Sequence, residues 1–205
     1  MPTAVVTGCN SGIGHSFARV LISEGYEVIA TDYIEGDQLK ALQCRHAQLD
    51  VRSPESISAF VRLCLASPLT CYSTLLELWQ NMKTTLSRPP AAKSSQGIRS
   101  ACRYRVARMG SIADNSTGGI YAYRASKAAV NSIGKSLAMD LKDKGIVVTL
   151  LHPGIVKTGL DPSAANTPEA VLPDEAASKL WNIWQSKGIE DTGKFWHREG
   201  QELPW

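Results

Sequence analysis

Tyr123 and Lys127 are the pair whose types and spacing most directly suggest chemistry. Four residues of α-helix bring two side chains onto one face, one turn apart. A fixed ammonium beside a phenol favours the phenolate, and a phenol that ionises readily is a general acid/base. The same spacing occurs on ordinary solvated helix faces, so the pair gains meaning only from its surroundings. Two other stretches carry chemistry of a different kind. Thr7-Gly8-Cys9-Asn10-Ser11-Gly12-Ile13-Gly14 is a glycine-rich turn, and His152-Pro153-Gly154-Ile155-Val156-Lys157-Thr158 is a Pro-Gly loop. Glycines permit unusual backbone angles and close approach of a pyrophosphate. Amides and the dipole at the start of a following helix then favour that anion. An ordinary tight turn is the alternative.

The elements that must position these groups can be read around them. Residues 3–7 are a short apolar run ending at a glycine, which suits a buried parallel strand. A helical pattern follows, with Phe17, Val20, Leu21 and Ile22 on its apolar side, and stops near Gly25. Strand, glycine turn and helix in that order are the context a dinucleotide-binding turn needs. Residues 27–31 predict a second strand, and Asp32 ends it, about 20 residues beyond the turn. A carboxylate there can accept from both adenosine ribose hydroxyls and would repel a 2′-phosphate, which favours NAD over NADP. A cap or turn aspartate is the alternative. A short helix over 37–42 leads to a strand around Ala47-Gln48-Leu49, closed by Asp50-Val51 where an adenine could rest. Ser53-Pro54-Glu55 opens a helix with Pro at its first position, and Ile57, Phe60, Val61 and Leu65 fit one face.

The second half is uneven. Leu75, Leu76, Leu78 and Trp79 suit a helix, and 88–97 reads as a loop or linker. Between 99 and 108, Arg99, Arg103, Arg105 and Arg108 interrupt what should be a buried central strand, so a solvated or misfolded segment is expected there. Order returns at Gly110-Ser111-Ile112. Gly118-Gly119 precede the helix that carries Tyr123, which runs to about Lys144 with Ala129, Ile133 and Leu137 on its apolar side. Gly145 ends it. Residues 146–151 form an unbroken apolar, β-branched strand. A helix over 169–186, with Leu180, Ile183 and Trp184 inward, and a last strand around 193–196 complete the pattern.

Bulk properties bound the answer. The 205 residues suit one domain, 1–205, and a net charge of +3 points to no nucleic-acid surface. The five cysteines fit neither a zinc pattern nor a C-x-x-C motif, so free thiols and no metal are expected. No secretory leader is legible at the start, and no apolar run approaches a membrane span, so a cytoplasmic protein is expected.

Taken together, Thr7-Gly8-x-x-x-Gly12-Ile13-Gly14, Asp50-Val51, Tyr123-x-x-x-Lys127 and Pro153-Gly154-x-Val156-x-Thr158 resemble the short-chain dehydrogenase/reductase family. The stretch 110–127 and the ending 195–205 look like its C-factor and sniffer-type carbonyl reductase branch. The resemblance covers 1–65 and 109–205 and hardly touches 66–108. It implies a Rossmann-type doubly wound parallel sheet in a single domain, α/β in class, with an atypical fourth-strand region. NAD(P) would cross the carboxyl ends of the strands. Tyr123 would exchange a proton with the oxygen of a small carbonyl or secondary alcohol while hydride passes to or from the nicotinamide. Lys127 would hold the nicotinamide ribose and ease ionisation of the tyrosine. Gly8, Asn10, Ser11, Gly12, Ile13 and Gly14 would cradle the phosphates, and Asp32, Asp50 and Val51 the adenosine. Pro153, Gly154, Val156 and Thr158 would seat the carboxamide. Homodimers or homotetramers are common in the family.

Three departures stand out. The family's Asn-Asn-Ala-Gly strand motif is missing, as is an identifiable helix Asn for a proton relay. Ala107 stands where the family's Ser should be, and Ser111 is the nearby hydroxyl taken here as the third catalytic candidate, with Ser116 and Thr117 beyond it. A frame shift or mis-spliced exon would leave clean motifs flanking an incoherent middle. A catalytically impaired dinucleotide-binding protein and a damaged product that does not fold are therefore the competing expectations.

Overall fold

The computed structural model describes residues 1–65, 71–73, 101–105, 107–159 and 162–205, with backbone alone at 65, 71–73, 101–105 and 165. The helix expected at Leu75 to Trp79 and the loop expected over 88–97 lie outside the described residues. Two compact units divide the chain, Met1–Ser100 and Ala101–Trp205.

The first unit is built on parallel strands. These are β1 (Thr3–Thr7), β2 (Glu27–Asp32), β3 (Arg45–Gln48) and β4 (Cys71–Ser73), in the order β3-β2-β1-β4. All five residues of β1 are buried, as a parallel strand covered on both faces requires. Helices α1 (Gly12–Ser23), α2 (Asp37–Lys40) and α3 (Pro54–Leu65) form the connections. α1 buries Ile13, Phe17, Ala18 and Leu21, an i, i+4 stripe. α3 starts at Pro54 as expected, and the Ser56 amide donates to Ser53 Oγ at 3.1 Å to cap it. Phe60 packs against a cluster of Val5, Ile29 and Cys64.

Two expectations need correcting in this unit. The helix over 37–42 is one turn, because the chain tightens after Lys40 into successive turns, with the Leu42 amide on Leu39 O and the Cys44 amide on Leu42 O. β3 lies at Arg45–Gln48 rather than 47–49, although the Leu49 amide still donates to Asp32 O. In the fourth-strand region expected to be atypical, Cys71–Ser73 pairs with β1 in parallel, Val5 opposite Tyr72, which satisfies the second row of backbone groups of that buried strand.

The second unit contains β5 (Ala101–Arg105), β6 (Val147–His152) and β7 (Lys194–His197), parallel and in that order. The arginine-rich segment expected to be solvated or misfolded is thus a strand, paired from Ala101 opposite Val147 to Arg105 opposite Leu151. Its Cys-Arg-Tyr-Arg run has the period of two that a strand needs, and the apolar β6 presents the ladder it completes. Helix α4 (Tyr121–Lys142) is the long element expected to carry Tyr123. Its buried stripe is Val130, Gly134, Leu137, Ala138 and Leu141; Ala129 is exposed, so the inward face is turned about one position from the one expected. Helix α5 is Pro173–Ser186 and buries Ala176, Ala177, Leu180, Trp181 and Trp184. It starts four residues later than expected, because Val171 first makes a parallel bridge with Val156 and Pro173 then opens the helix.

Candidate active site

The glycine turn leaves β1 with Gly8 at φ 70° and returns into α1 with Gly12 at φ 58°, both in the left-handed region that favours glycine. A Cβ on Gly14 would lie 2.0 Å from Gly8 O, so α1 can lie against the turn only if position 14 has no side chain. Ser11, at the N-cap, makes no side-chain hydrogen bond to the helix, and no acidic residue sits in the first turn. The first amides of α1 therefore carry their partial positive charge without a side-chain cap from Ser11. This helix start against a side-chain-free cradle fits a pyrophosphate.

Asp32 ends β2, and its carboxylate accepts from the Asn10 amide and from the Tyr33 amide, each at 2.7 Å. The cap-or-turn task weighed for Asp32 is therefore present in the structure. Each carboxylate oxygen keeps a further lone pair. Asn10 Oδ1 accepts from the Leu39 amide at 3.3 Å, so the Asn10 side chain ties the glycine turn to the β2–α2 connection. After β3, Asp50 Oδ1 accepts from the Arg52 amide at 2.9 Å, and the Arg52 side chain holds its carboxyl below the usual range. The Arg52 guanidinium also lies 4.9 Å from the centre of the Tyr33 ring. Val51 follows Asp50 in the turn between β3 and α3, half-buried. The glycines, Asn10, Ser11, Ile13, Asp32, Asp50 and Val51 all lie in the first unit.

Tyr123 and Lys127 lie in the first turns of α4, as the spacing requires, with Lys127 Nζ 5.4 Å from the centre of the Tyr123 ring. Tyr123 is 40% exposed. The helix approach is set from outside. A Cβ on Gly110 would lie 2.6 Å from the Lys127 carbonyl carbon, so the 3-10 turn Arg108–Gly110 packs directly on the backbone at Lys127. Ser111 is 3% exposed, and its Oγ accepts from the Asp114 amide at 3.1 Å. The hydroxyl thus folds its own turn. Ile120, just ahead of α4, is held at φ 47°, where a β-branched residue is strained. Arg124 reaches back from the helix to the carbonyls of Gly118 and Gly119, both at 3.2 Å, and Arg108 pairs with Asp114.

The Pro-Gly loop follows β6. Pro153 and Val156 are buried, Gly154 has φ 70°, and Thr158 is half-buried. Sequence reasoning missed the group that holds this loop, Arg198, which is 7% exposed and lies just after β7. No spacing rule flags a single arginine past a strand end. His152 and His197, which end β6 and β7, lie with ring centres 5.3 Å apart, and burial pushes the His197 pKa down. Cys9, Cys44 and Cys64 are free thiols among the described residues, and burial raises the pKa of each. Among the described residues no three His, Cys, Asp or Glu side chains gather as a metal ion would need. No described helix is long and apolar enough to cross a membrane.

These features agree with what comparison with known proteins shows. The short chain dehydrogenase family profile matches residues 2–68 and 105–169, and the chain belongs to that family of oxidoreductases. The "1-hydroxy-2-glutathionyl-2-methyl-3-butene dehydrogenase" of Rhodococcus sp. (strain AD45) is 30% identical over the whole of both chains. Among solved structures, carbonyl reductase Sniffer of D. melanogaster superposes with a TM-score of 0.78 at 21% identity, covering 100% of each chain. The NADPH-bound carbonyl reductase from chicken fatty liver does so with a TM-score of 0.75 at 22% identity, covering 100% of this chain and 99% of that one. The Rossmann-type α/β fold expected from the motifs is therefore the fold of this chain.

Proposed function

We propose that the protein interconverts a small carbonyl compound and the corresponding secondary alcohol, using a nicotinamide dinucleotide and Tyr123 as the proton donor and acceptor. The observation that carries this reading is Lys127 Nζ at 5.4 Å from the Tyr123 ring, at the exposed start of α4, in a chain of this family. The bound dinucleotide would supply or remove a hydride at the substrate carbon. Tyr123 would give its proton to the carbonyl oxygen, or take one from the alcohol. The Lys127 ammonium would offset the negative charge that develops on the phenol oxygen. Gly8, Gly12, Ile13 and Gly14, with Asn10 and the amide of Ser11, would take the pyrophosphate on the start of α1, where Ser11 gives no side-chain cap. Asp50 and Val51 would flank the adenine. Pro153, Gly154, Val156 and Thr158 would seat the carboxamide. The relative that matches along its full length is named for a hydroxylated substrate, which supports alcohol–carbonyl chemistry.

NAD is the cofactor this reading favours, because the Asp32 carboxylate ends β2 where a ribose would lie and its charge opposes a 2′-phosphate. NADPH in the chicken reductase supports the other choice, at an identity of 22%. The whole of 1–205 would act as one dinucleotide-binding domain, in the cytoplasm, as a homodimer or homotetramer.

A second reading, a catalytically impaired member that binds dinucleotide, is favoured by one observation. Ala107 replaces the family's serine, and the candidate substitute Ser111 is 3% exposed and already holds the Asp114 amide. Losing one oxyanion donor costs about 10²–10³ in kcat, so slow turnover is the expected behaviour if Ser111 does not serve.

Tyr123→Phe separates the readings. Turnover on a panel of ketones and secondary alcohols is expected to vanish, with dinucleotide affinity within about twofold of wild type. Unchanged turnover would remove Tyr123 from the chemistry. Binding without turnover in the wild type would establish the impaired reading.

A further inference from the structure

One buried cation organises the second unit in a way no motif announces. The Arg198 guanidinium is inserted beneath the Pro-Gly loop. Nη1 donates to Pro153 O at 2.7 Å and to Ile155 O at 3.0 Å, and Nη2 donates to Glu169 O at 3.0 Å. Nε donates to Glu199 Oε1 at 3.1 Å, and the Arg198 amide donates to His152 O at 2.9 Å. Glu199 Oε1 also accepts from Lys179 at 2.9 Å, which ties the arrangement to α5. A buried charge is tolerated when its donors are satisfied, and here the planar fork meets three carbonyls and one carboxylate. The neighbouring backbone is shaped to the fork as well. Gly154 sits at φ 70°, and a Cβ there would lie 2.4 Å from Nη1. Ile155 and Glu169 are the two ends of the segment that carries Val156 and Thr158, and the same guanidinium holds both. The Val171 amide on Ile155 O and the Lys157 amide on Val171 O close the base of that segment.

We propose that Arg198 is a positioning residue for the nicotinamide end of the cofactor. It fixes the carbonyls of Pro153 and Ile155, and with them the backbone that would meet the carboxamide, and it pins both ends of the segment between Ile155 and Glu169. This rests on the functional reading above, which assigns the carboxamide to Pro153, Gly154, Val156 and Thr158. It adds a residue outside every motif and gives Gly154 a definite task, leaving room for the guanidinium. An ammonium could satisfy one or two of these carbonyls, not the whole set, because it lacks the planar fork.

The test compares two ligands. NADH carries the nicotinamide; ADP-ribose lacks it and keeps the pyrophosphate and adenosine that the first unit would hold. Affinities for both are measured by calorimetry on wild type, Arg198→Ala and Arg198→Lys, with methylguanidinium added to the alanine variant. Arg198→Ala is expected to weaken NADH about tenfold, with ADP-ribose within about twofold, since losing one hydrogen bond at the carboxamide corresponds to about that factor in affinity. Methylguanidinium is expected to restore NADH affinity in part, and Arg198→Lys to fall between. A general structural role would weaken both ligands alike, so an unchanged NADH to ADP-ribose ratio overturns the proposal. If the alanine variant does not fold, the ratio in Arg198→Lys decides in the same way. Wild type that binds neither ligand overturns the functional reading and this proposal together; wild type that binds both, with the ratio unmoved in the variants, overturns this proposal alone.

Discussion

Asp32 shows how one side chain can answer to two tasks. Its two oxygens accept from the Asn10 and Tyr33 amides, which fixes the glycine turn against the end of β2. On the function proposed above, the remaining lone pairs would meet ribose hydroxyls and the charge would oppose a 2′-phosphate. Asp32→Ala removes all of these at once. The ratio of NAD to NADP affinity is expected to fall about tenfold, since a hydrogen bond to a charged group contributes about 1.5 kcal/mol or more. Titrating both dinucleotides checks it, and an unchanged ratio would leave Asp32 as a turn residue alone. Tyr123 and Lys127 were legible because a helical turn is short-range geometry. Arg198 was not, because its partners at Pro153, Ile155 and Glu169 are 45, 43 and 29 positions away in the chain.

At the scale of elements, the strand–turn–helix unit formed by β1 and α1 is the part most tightly specified by sequence. Gly14→Ala would drive a Cβ into Gly8 O, a backbone atom that cannot swing aside. The start of α1 must then move away from the turn. The expected cost is about 1–3 kcal/mol in stability, with dinucleotide affinity falling more than stability does. Thermal melts and a binding titration measure both; a variant that melts and binds like wild type would show that the cradle is not built this closely. The same local logic located β1, β2, β6 and the body of α4. It misplaced the segment 101–105, where charge on the sequence was weighed against burial and the backbone ladder to β6 decided otherwise. It also began α5 too early, because the bridge from Val171 to Val156 is a tertiary contact that overrides helical periodicity. The inward face of α4 was read one position off for a related reason. Val130, Gly134 and Ala138 are small or branched residues chosen for close packing, and a hydrophobic count does not rank them.

For the whole molecule, family membership rests on matches at 2–68 and 105–169, flanking the stretch where the motifs fall silent. Sequencing the transcript across 66–108 tests the expectation of a frame shift or mis-spliced exon there, and an mRNA that encodes these residues as written rejects it. The fold-level expectation of a damaged, non-folding product makes its own prediction, the absence of a cooperative melt. The central claim is that this chain holds a pyridine dinucleotide through the glycine turn ahead of α1, and a melting curve with and without ligand tests it most directly. Saturating one site at about 100 times Kd adds about 2.7 kcal/mol to the folded state. For a chain of this size that is a rise of roughly 5–10 °C in Tm. The account predicts a cooperative transition that moves upward by this amount with NADH or NADPH; a soluble protein whose melt is unmoved by either would contradict it.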